Sequence, residues 1–207
     1  MYYVSNHPLI KDKLTRMRKI DTSSMIFRDN LQEITQLLVY EATKDWSLQE
    51  ISIDTPVVKN ATGYKLETPA TLVAILRAGL GMVDGAKLML PSASIGHVGL
   101  YRDETTLQPV EYFFKMPKQT PDSNVIIFDP MLATGGSAIE AINMVKRLKP
   151  RRIQFVCLVS SPEGLKTLSE AHPDVDIYIG SLDEKLNEDG YIVPGLGDAG
   201  DRIFGTK

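Results

Sequence analysis

The sequence predicts a three-layer α/β fold, with a mostly parallel sheet covered by helices on both faces. Three observations carry this expectation. Near-continuous apolar runs of strand length occur at 70–76, 125–128, 153–159 and 175–179, and stretches of helical periodicity separate them. Turn or cap chemistry follows the first three, as Arg77-Ala78-Gly79, Thr134-Gly135-Gly136-Ser137 and Ser161-Pro162. The chain has 207 residues, 43% of them hydrophobic and 24% charged, which suits one globular domain over 1–207. Strands that are apolar on both faces need helices on both sides and right-handed crossovers.

The elements follow in order. Pro8 opens a helix through Met17, whose basic residues lie toward the C-terminal end, where the helix dipole favours them. Phe27, Leu31, Ile34, Leu38 and Ala42 recur at spacings of three and four and form one apolar helical stripe. The period changes from Ile51 onward. The run 70–76 leads through the Arg77-Ala78-Gly79-Leu80-Gly81 turn into a helix ending at Leu90. Next comes a strand at 95–101, and then Val110, Tyr112 and Phe114 alternate with Glu111 and Lys115. The charged Arg102-Asp103-Glu104-Thr105-Thr106 between them predicts a protruding β-hairpin flap. Run 125–128 feeds a glycine turn and a helix with its stripe at Ala138, Ile142, Val145 and Leu148, ending near Pro150. Ser161-Pro162 caps and starts another helix, and the strand at 175–179 follows it. The glycine-rich stretch 191–201 is expected to be a loop rather than regular helix.

Composition excludes several function classes. Lys and Arg total 23 against 26 for Asp and Glu, a formal net charge of -3, which argues against a long nucleic-acid partner. It leaves open a small anion held by a few placed groups. The single cysteine, Cys157, excludes an internal disulfide and a multi-cysteine metal site. The apolar runs fall short of the ~18 residues of a membrane span, and the N-terminus lacks a signal-peptide pattern. A cytoplasmic protein without a membrane partner is expected.

The segment richest in chemistry is Val125-Ile126-Ile127-Phe128-Asp129-Pro130-Met131-Leu132-Ala133-Thr134-Gly135-Gly136-Ser137-Ala138. A buried strand delivers an acid to the end of the sheet where open α/β folds bind ligands. Glycines then lead into a helix start, whose unpaired N–H groups and positive dipole suit a phosphate monoester. The hydroxyls of Thr134 and Ser137 are further donors. No lysine follows Gly136, so this is not the nucleoside-triphosphate P-loop, and no G-x-G-x-x-G follows a strand. A purely structural reading also exists: Ser137 with Glu140 three residues on has the form of a capping box.

An apolar strand ending in acid and running into Thr-Gly-Gly-Ser resembles the signature of the phosphoribosyltransferases, which bind phosphoribosyl pyrophosphate (PRPP). The common form carries two adjacent acids; here the second is Pro130. That departure resembles the uracil-using branch of the family. So do Ile75-Leu76-Arg77-Ala78-Gly79-Leu80, Gly99-Leu100-Tyr101-Arg102-Asp103-Glu104, the stretch 191–202 and the opening His7-Pro8-Leu9-Ile10. The resemblance covers nearly the whole chain. It implies transfer of ribose 5-phosphate from PRPP to N1 of uracil, giving UMP and pyrophosphate, a pyrimidine-salvage reaction.

The resemblance also implies roles. PRPP would be bound by Arg77, Arg102, Asp129, Pro130, Met131, Leu132, Ala133, Thr134, Gly135, Gly136, Ser137 and Asp198. Within that set the 5-phosphate would sit on the amides of Ala133 to Ser137. Asp129 would accept from the ribose hydroxyls, without the usual second acid. Arg77 and Arg102 would face the pyrophosphate, where a guanidinium's fixed donors and permanent charge suit a leaving group that gains charge. Ile192, Gly197, Asp198 and Ala199 would line the uracil pocket, with backbone groups reading the base. Arg102 and Asp198 would be the catalytic residues, Asp198 as a candidate acceptor of the N1 proton. Mg²⁺ would be held mainly by pyrophosphate and water, with no protein metal site. A homo-oligomer, dimeric or higher, and a GTP effector without an assignable site complete these expectations.

The remaining residues read as structural. Cys157 lies in an apolar strand and is expected to be a buried thiol. His7, His97 and His172 are too scattered for a metal site, and His97 reads as a hydrogen-bonded structural residue. Lys146, Arg147, Lys149, Arg151 and Arg152 complement a helix end rather than form an RNA patch. Trp46 is expected in a core or a subunit contact. Two other functions stand beside the first: the same transfer to another base, and a regulatory protein that binds nucleotides and RNA. The stretch 191–201 favours uracil over other bases, and the acidic balance counts against RNA.

Overall fold

The computed structural model describes residues 1–102 and 109–206, with the side chains of Arg102 and Pro109 outside that description. Strand β1 (Tyr2–Val4) precedes helices α1 (Pro8–Arg18) and α2 (Ser24–Ala42). Strands β2 (Leu48–Ile53) and β3 (Ala61–Leu66) form a separate antiparallel hairpin. Then follow β4 (Ala70–Leu76), α3 (Leu80–Met89), β5 (Ser94–Arg102), β6 (Pro109–Lys115), β7 (Asn124–Phe128), β8 (Met131–Leu132) and α4 (Gly136–Lys146). The chain ends with β9 (Arg152–Ser160), α5 (Pro162–Ala171), β10 (Asp176–Leu182), β11 (Lys185–Leu186), β12 (Ile192–Val193) and α6 (Ala199–Phe204).

The main sheet runs β1-β10-β9-β7-β4-β5-β6, and β8 also pairs with β9. Every pairing is parallel except β5 with β6. Side-chain alternation along the strands divides the interior in two. Leu72, Ala74, Ile126 and Phe128 face a core built with Leu31, Ile34 and Leu38 of α2 and Met82 of α3. Val73, Ile75, Val125 and Ile127 face the other core, with Ala141, Ile142 and Val145 of α4 and Leu165 and Leu168 of α5. Both faces are therefore dry, which is why these strands read as continuous apolar runs.

From β4 the chain crosses through α3 to β5 on one side, and from β7 it crosses through α4 to β9 on the other. Strands β4 and β7 are neighbours, so the order reverses between them. A crevice at the C-terminal ends of strands forms at such a reversal, because adjacent connections diverge to opposite faces.

Three parts of the chain depart from the sequence expectation. Strand β1 and the β2–β3 hairpin were not anticipated. The hairpin is mostly exposed, so its residues carry no core-facing alternation. Within the stretch 191–201, Ile192–Val193 form the short strand β12, residues 194–198 are irregular, and Ala199 to Asp201 form the first turn of α6. The antiparallel β5–β6 pair matches the expected hairpin, with a register shift between Gly99 and Leu100. Its charged tip, with Asp103 and Glu104, lies outside the described residues. Among the described residues no helix is long and apolar enough to cross a membrane.

Candidate active site

Two loops meet at the β4/β7 reversal. After β7, Asp129 and Pro130 lead through β8 to Ala133, Thr134 and Gly135, and α4 starts at Gly136. Gly135 has φ 90°, a left-handed conformation that a side chain would strain, and it caps α4 without any side-chain hydrogen bond. Helices α1, α2, α5 and α6 are capped by His7, Ser23, Ser161 and Asp198, each accepting from a backbone N–H. The helices at the reversal, α3 and α4, lack such a bond. The capping-box reading of Ser137 and Glu140 is thereby set aside: the cap is Gly135, and the first N–H groups of α4 stay available to an anion.

Residues 131–138 and Asp129 line a concavity of about 90 Å³. Thr134 and Ser137 are exposed at its rim. A Cβ on Gly136 would meet no heavy atom within 4 Å, so no protein atom requires glycine there.

The loop is held from behind by the start of α5. Ser161 donates to the Ala133 carbonyl at 2.5 Å, and its backbone N–H donates to the Leu132 carbonyl at 3.0 Å. Gly164 lies so close that a Cβ there would sit 2.2 Å from the Ala133 oxygen. Neither residue was predicted to matter to the site; the Ser-Pro pair signalled only a helix start.

Asp129 lies at the C-terminal end of β7, partly open to the crevice. Burial pushes its carboxyl up to about 7, against the single backbone N–H it accepts from Met131 at 3.3 Å. Cys157 on β9 is fully buried, and burial raises its thiol well above the ordinary range, with the Asp129 charge adding to the effect. It is a packing residue, as expected.

Arg77 follows β4 across a cis peptide bond from Leu76. Its side chain is 58% exposed, and its guanidinium reaches to 3.8 Å from Asp201 and lies 5.8 Å from the Phe204 ring centroid. Arg77 thus spans from the sheet edge to the first turn of α6. Two residues on, Gly79 packs against the Phe128 carbonyl, 2.4 Å from an ideal Cβ, and locks this turn to the end of β7. Arg102 ends β5.

Asp198 is exposed and caps α6, its Oδ1 accepting from the Asp201 N–H at 2.9 Å. It lines a cleft of about 350 Å³ together with Tyr191, Asp201, Arg202, Ile20 and Thr22 of the α1–α2 connection and Ser24 at the start of α2. Ile192 and Ala199 are 6% and 0% exposed, their side chains in the core, so a base would meet their backbone. Gly197 is exposed with φ 69°.

The residues read as structural behave so in several cases. His7 caps α1 through Nδ1. His172 is buried against the Ile139 carbonyl, and burial lowers its pKa. Trp46 is core and donates to Gln154 Oε1 at 3.0 Å. Lys146 pairs with Asp174, Arg147 with Glu140, and Arg152 with both Asp45 and Asp176, so these cations are satisfied by neighbouring carboxylates. Among the described residues no group of three or more His, Cys, Asp or Glu could hold a metal ion.

A family model described as uracil phosphoribosyltransferase matches residues 4–206. A uracil phosphoribosyltransferase of Ureaplasma urealyticum serovar 10 is 66% identical over 207 residues, covering 100% of both chains. One from Malacoplasma penetrans is 63% identical over the same span, again covering 100% of both. A solved structure of a protein from Aquifex aeolicus superposes with a TM-score of 0.94 at 40% identity, covering 99% of this chain and 98% of that one. The chain belongs to the uracil phosphoribosyltransferase family.

Proposed function

We propose that this chain transfers the 5-phosphoribosyl group of PRPP to N1 of uracil, releasing pyrophosphate and giving UMP. One observation carries the reading: at the β4/β7 reversal, the uncapped start of α4 and the half-buried acid Asp129 follow β7, and the turn bearing Arg77 packs through Gly79 on the Phe128 carbonyl at the end of that strand. That arrangement offers amides to a phosphate, an acceptor to sugar hydroxyls and a guanidinium to pyrophosphate. The other end of Arg77 lies at α6, beside the loop proposed to bind the base.

In this reading the 5-phosphate rests on the amides of Ala133 to Ser137 with the Thr134 and Ser137 hydroxyls, and Pro130 to Leu132 shape the wall. Asp129 accepts from the ribose hydroxyls. The bond from C1′ to the pyrophosphate oxygen breaks as N1 of uracil bonds to C1′, and the N1 proton leaves. Asp198 is the proposed acceptor of that proton: one carboxylate oxygen is committed to the α6 cap, and the other is available to substrate. Arg77 and Arg102 stabilise charge that grows on the leaving group. Backbone groups of Ile192, Gly197 and Ala199 read the base edge. Cytosine, with an amino group in place of O4, would set a donor against a donor, a mismatch that discriminates strongly.

Isolated carboxylates such as Asp129 and Asp198, rather than a cage, fit a Mg²⁺ ion that arrives on PRPP and keeps its waters. Such an ion supplies charge neutralisation at the pyrophosphate. The β5–β6 hairpin is proposed to close over the donor and limit its hydrolysis. We also propose that the chain works as one domain, 1–207, in the cytoplasm and as a homo-oligomer. The β2–β3 hairpin supports the last point, since Leu48, Val57, Val58 and Tyr64 are exposed on a two-stranded unit that is marginal alone. GTP activation belongs to the same expectation, with no site assigned.

The test is a spectrophotometric assay with PRPP and Mg²⁺ against uracil, cytosine, hypoxanthine and orotate. Turnover with uracil alone is expected. Turnover with another base and none with uracil would overturn the assignment.

A further inference from the structure

The loop that precedes Asp198 is anchored by a buried ion pair that plays no part in the chemistry above. Arg18, the last residue of α1, and Asp183, just after β10, form a bidentate pair: Nη1 to Oδ2 and Nη2 to Oδ1, both 2.7 Å. The Asp183 side chain is 2% exposed. Ser181 Oγ donates to Asp183 Oδ1 at 2.8 Å, and the Asp183 N–H donates to the Ser160 carbonyl.

Both backbone polar groups of Gly195 end on this pair. Its N–H donates to Asp183 Oδ2 at 2.9 Å, and its carbonyl accepts from Arg18 Nη1 at 2.8 Å. The turn admits no side chain: φ is 64°, and a Cβ would lie 2.1 Å from the Ile192 oxygen. The next residue is tied to the same helix end, because Arg202 donates to the carbonyls of both Leu196 and Lys19. Residues 195 and 196 are therefore fixed to the end of α1, immediately before Gly197, Asp198 and Ala199.

Stability alone is a poor account of such a pair. Removing two charges from water costs about as much as their attraction returns, and apolar replacements of similar volume are often neutral. What apolar groups cannot do is hold the N–H and the carbonyl of one glycine at once. Burial works to raise the Asp183 carboxyl, but the hydrogen bonds from Arg18, Gly195 and Ser181 outweigh it and hold it below the ordinary range. It stays an acceptor at working pH.

We propose that Arg18 and Asp183 are positioning residues that set affinity for the acceptor base by fixing Gly195, and with it the backbone that reads the base. The inference rests on the reading that this loop binds the base.

The experiment measures KM for uracil at saturating PRPP, KM for PRPP at saturating uracil, and the melting temperature. Full-length wild type is compared with Asp183→Asn, Arg18→Lys and the paired Arg18→Met/Asp183→Leu. The paired variant replaces both charges with apolar groups, so it keeps the packing and loses the clamp. Its uracil KM should rise about tenfold or more, as expected when a binding group shifts by a fraction of an ångström, while the PRPP KM moves less than about threefold. Arg18→Lys keeps the charge but not the fork and should fall between. Ser181→Ala, which removes the hydroxyl that donates to Asp183 and accepts from Arg18 but leaves both charges in place, carries the test if the pair variants do not fold; its uracil KM should rise about threefold. An unchanged uracil KM, or equal rises in both KM values, overturns the proposal. If wild type turns over a different base, the functional reading has failed instead, and that base's KM becomes the measurement.

Discussion

Replacing Asp129 by Asn should stabilise the protein, by an amount that grows as pH rises from about 4 and levels off above neutrality. The carboxyl has an ordinary pKa of 3.8 when unfolded and about 7 in the fold. Between those values the folded protein retains a proton that the unfolded chain has released. Stability therefore falls as pH rises through this window and levels off above it. Three pKa units correspond to ~4 kcal/mol at most, and roughly 1–2 kcal/mol of that is already lost at pH 5. Asparagine has nearly the same shape and nothing to ionise. The advantage of Asp129→Asn should thus grow by about 1–3 kcal/mol between pH 5 and pH 8, with the lower end reflecting partial exposure to the crevice. Urea unfolding at both pH values measures this, followed by the fluorescence of the single tryptophan, Trp46, which is buried and hydrogen-bonded in the fold. A difference between variant and wild type that stays constant from pH 5 to pH 8 would refute the reasoning. Such a result would mean that the site does not hold a carboxyl under strain awaiting a hydroxyl-bearing ligand that arrives with Mg²⁺.

Other consequences can be checked with the same protein. PRPP with Mg²⁺ should pull Asp129 to its charged form, so binding should release a fraction of a proton near pH 7 and weaken below it; calorimetry in buffers of different ionisation enthalpy measures the proton count. Asp198→Asn keeps an N-cap acceptor for α6 but cannot take a proton, so kcat should fall by about 100-fold or more with the melting temperature unchanged; near-native kcat would remove the proposed role. Gly136→Ala points into open space and should leave stability unchanged or slightly raised, while the PRPP KM rises at least about tenfold. Gly164→Ala forces a methyl into the Ala133 carbonyl and should cost about 1–3 kcal/mol by urea unfolding, with weakened PRPP binding as the loop moves.

The opposite behaviour expected of those two glycines shows what sequence could and could not reveal. Gly136 sits in a local pattern, strand to acid to Thr-Gly-Gly-Ser, in which every feature of the phosphate cradle is contiguous. Gly164 and Ser161 act on that cradle from β9 and α5, and only the fold brings them to Ala133. The Arg18–Asp183 pair spans 165 residues, and nothing local to either residue points to the other. Strands β4, β7, β9 and β10 were legible because both of their faces are dry. The β2–β3 hairpin was not, because a mostly exposed ribbon has no reason to alternate. In the capping-box case the local pattern misled: Ser137 and Glu140 have the right spacing, yet Gly135 takes the cap position.

The site then combines an acidic chain with a highly charged small substrate. The net charge of -3 is no obstacle, because the proposed cradle is made of amides, a helix dipole and the Arg77 guanidinium rather than a basic surface. Binding should accordingly depend on the geometry of α4 and of Arg77 more than on overall charge.

The central claim is that phosphoribosyl transfer joins C1′ to N1 of uracil in this site. Incubation of the full chain with PRPP, Mg²⁺ and uracil labelled with ¹⁵N at N1, followed by NMR of the product, tests it directly. The account predicts UMP with C1′ coupled to the labelled nitrogen and one pyrophosphate released for each nucleotide formed. Pyrophosphate without nucleotide, or a ribosyl bond to the unlabelled nitrogen, would contradict it.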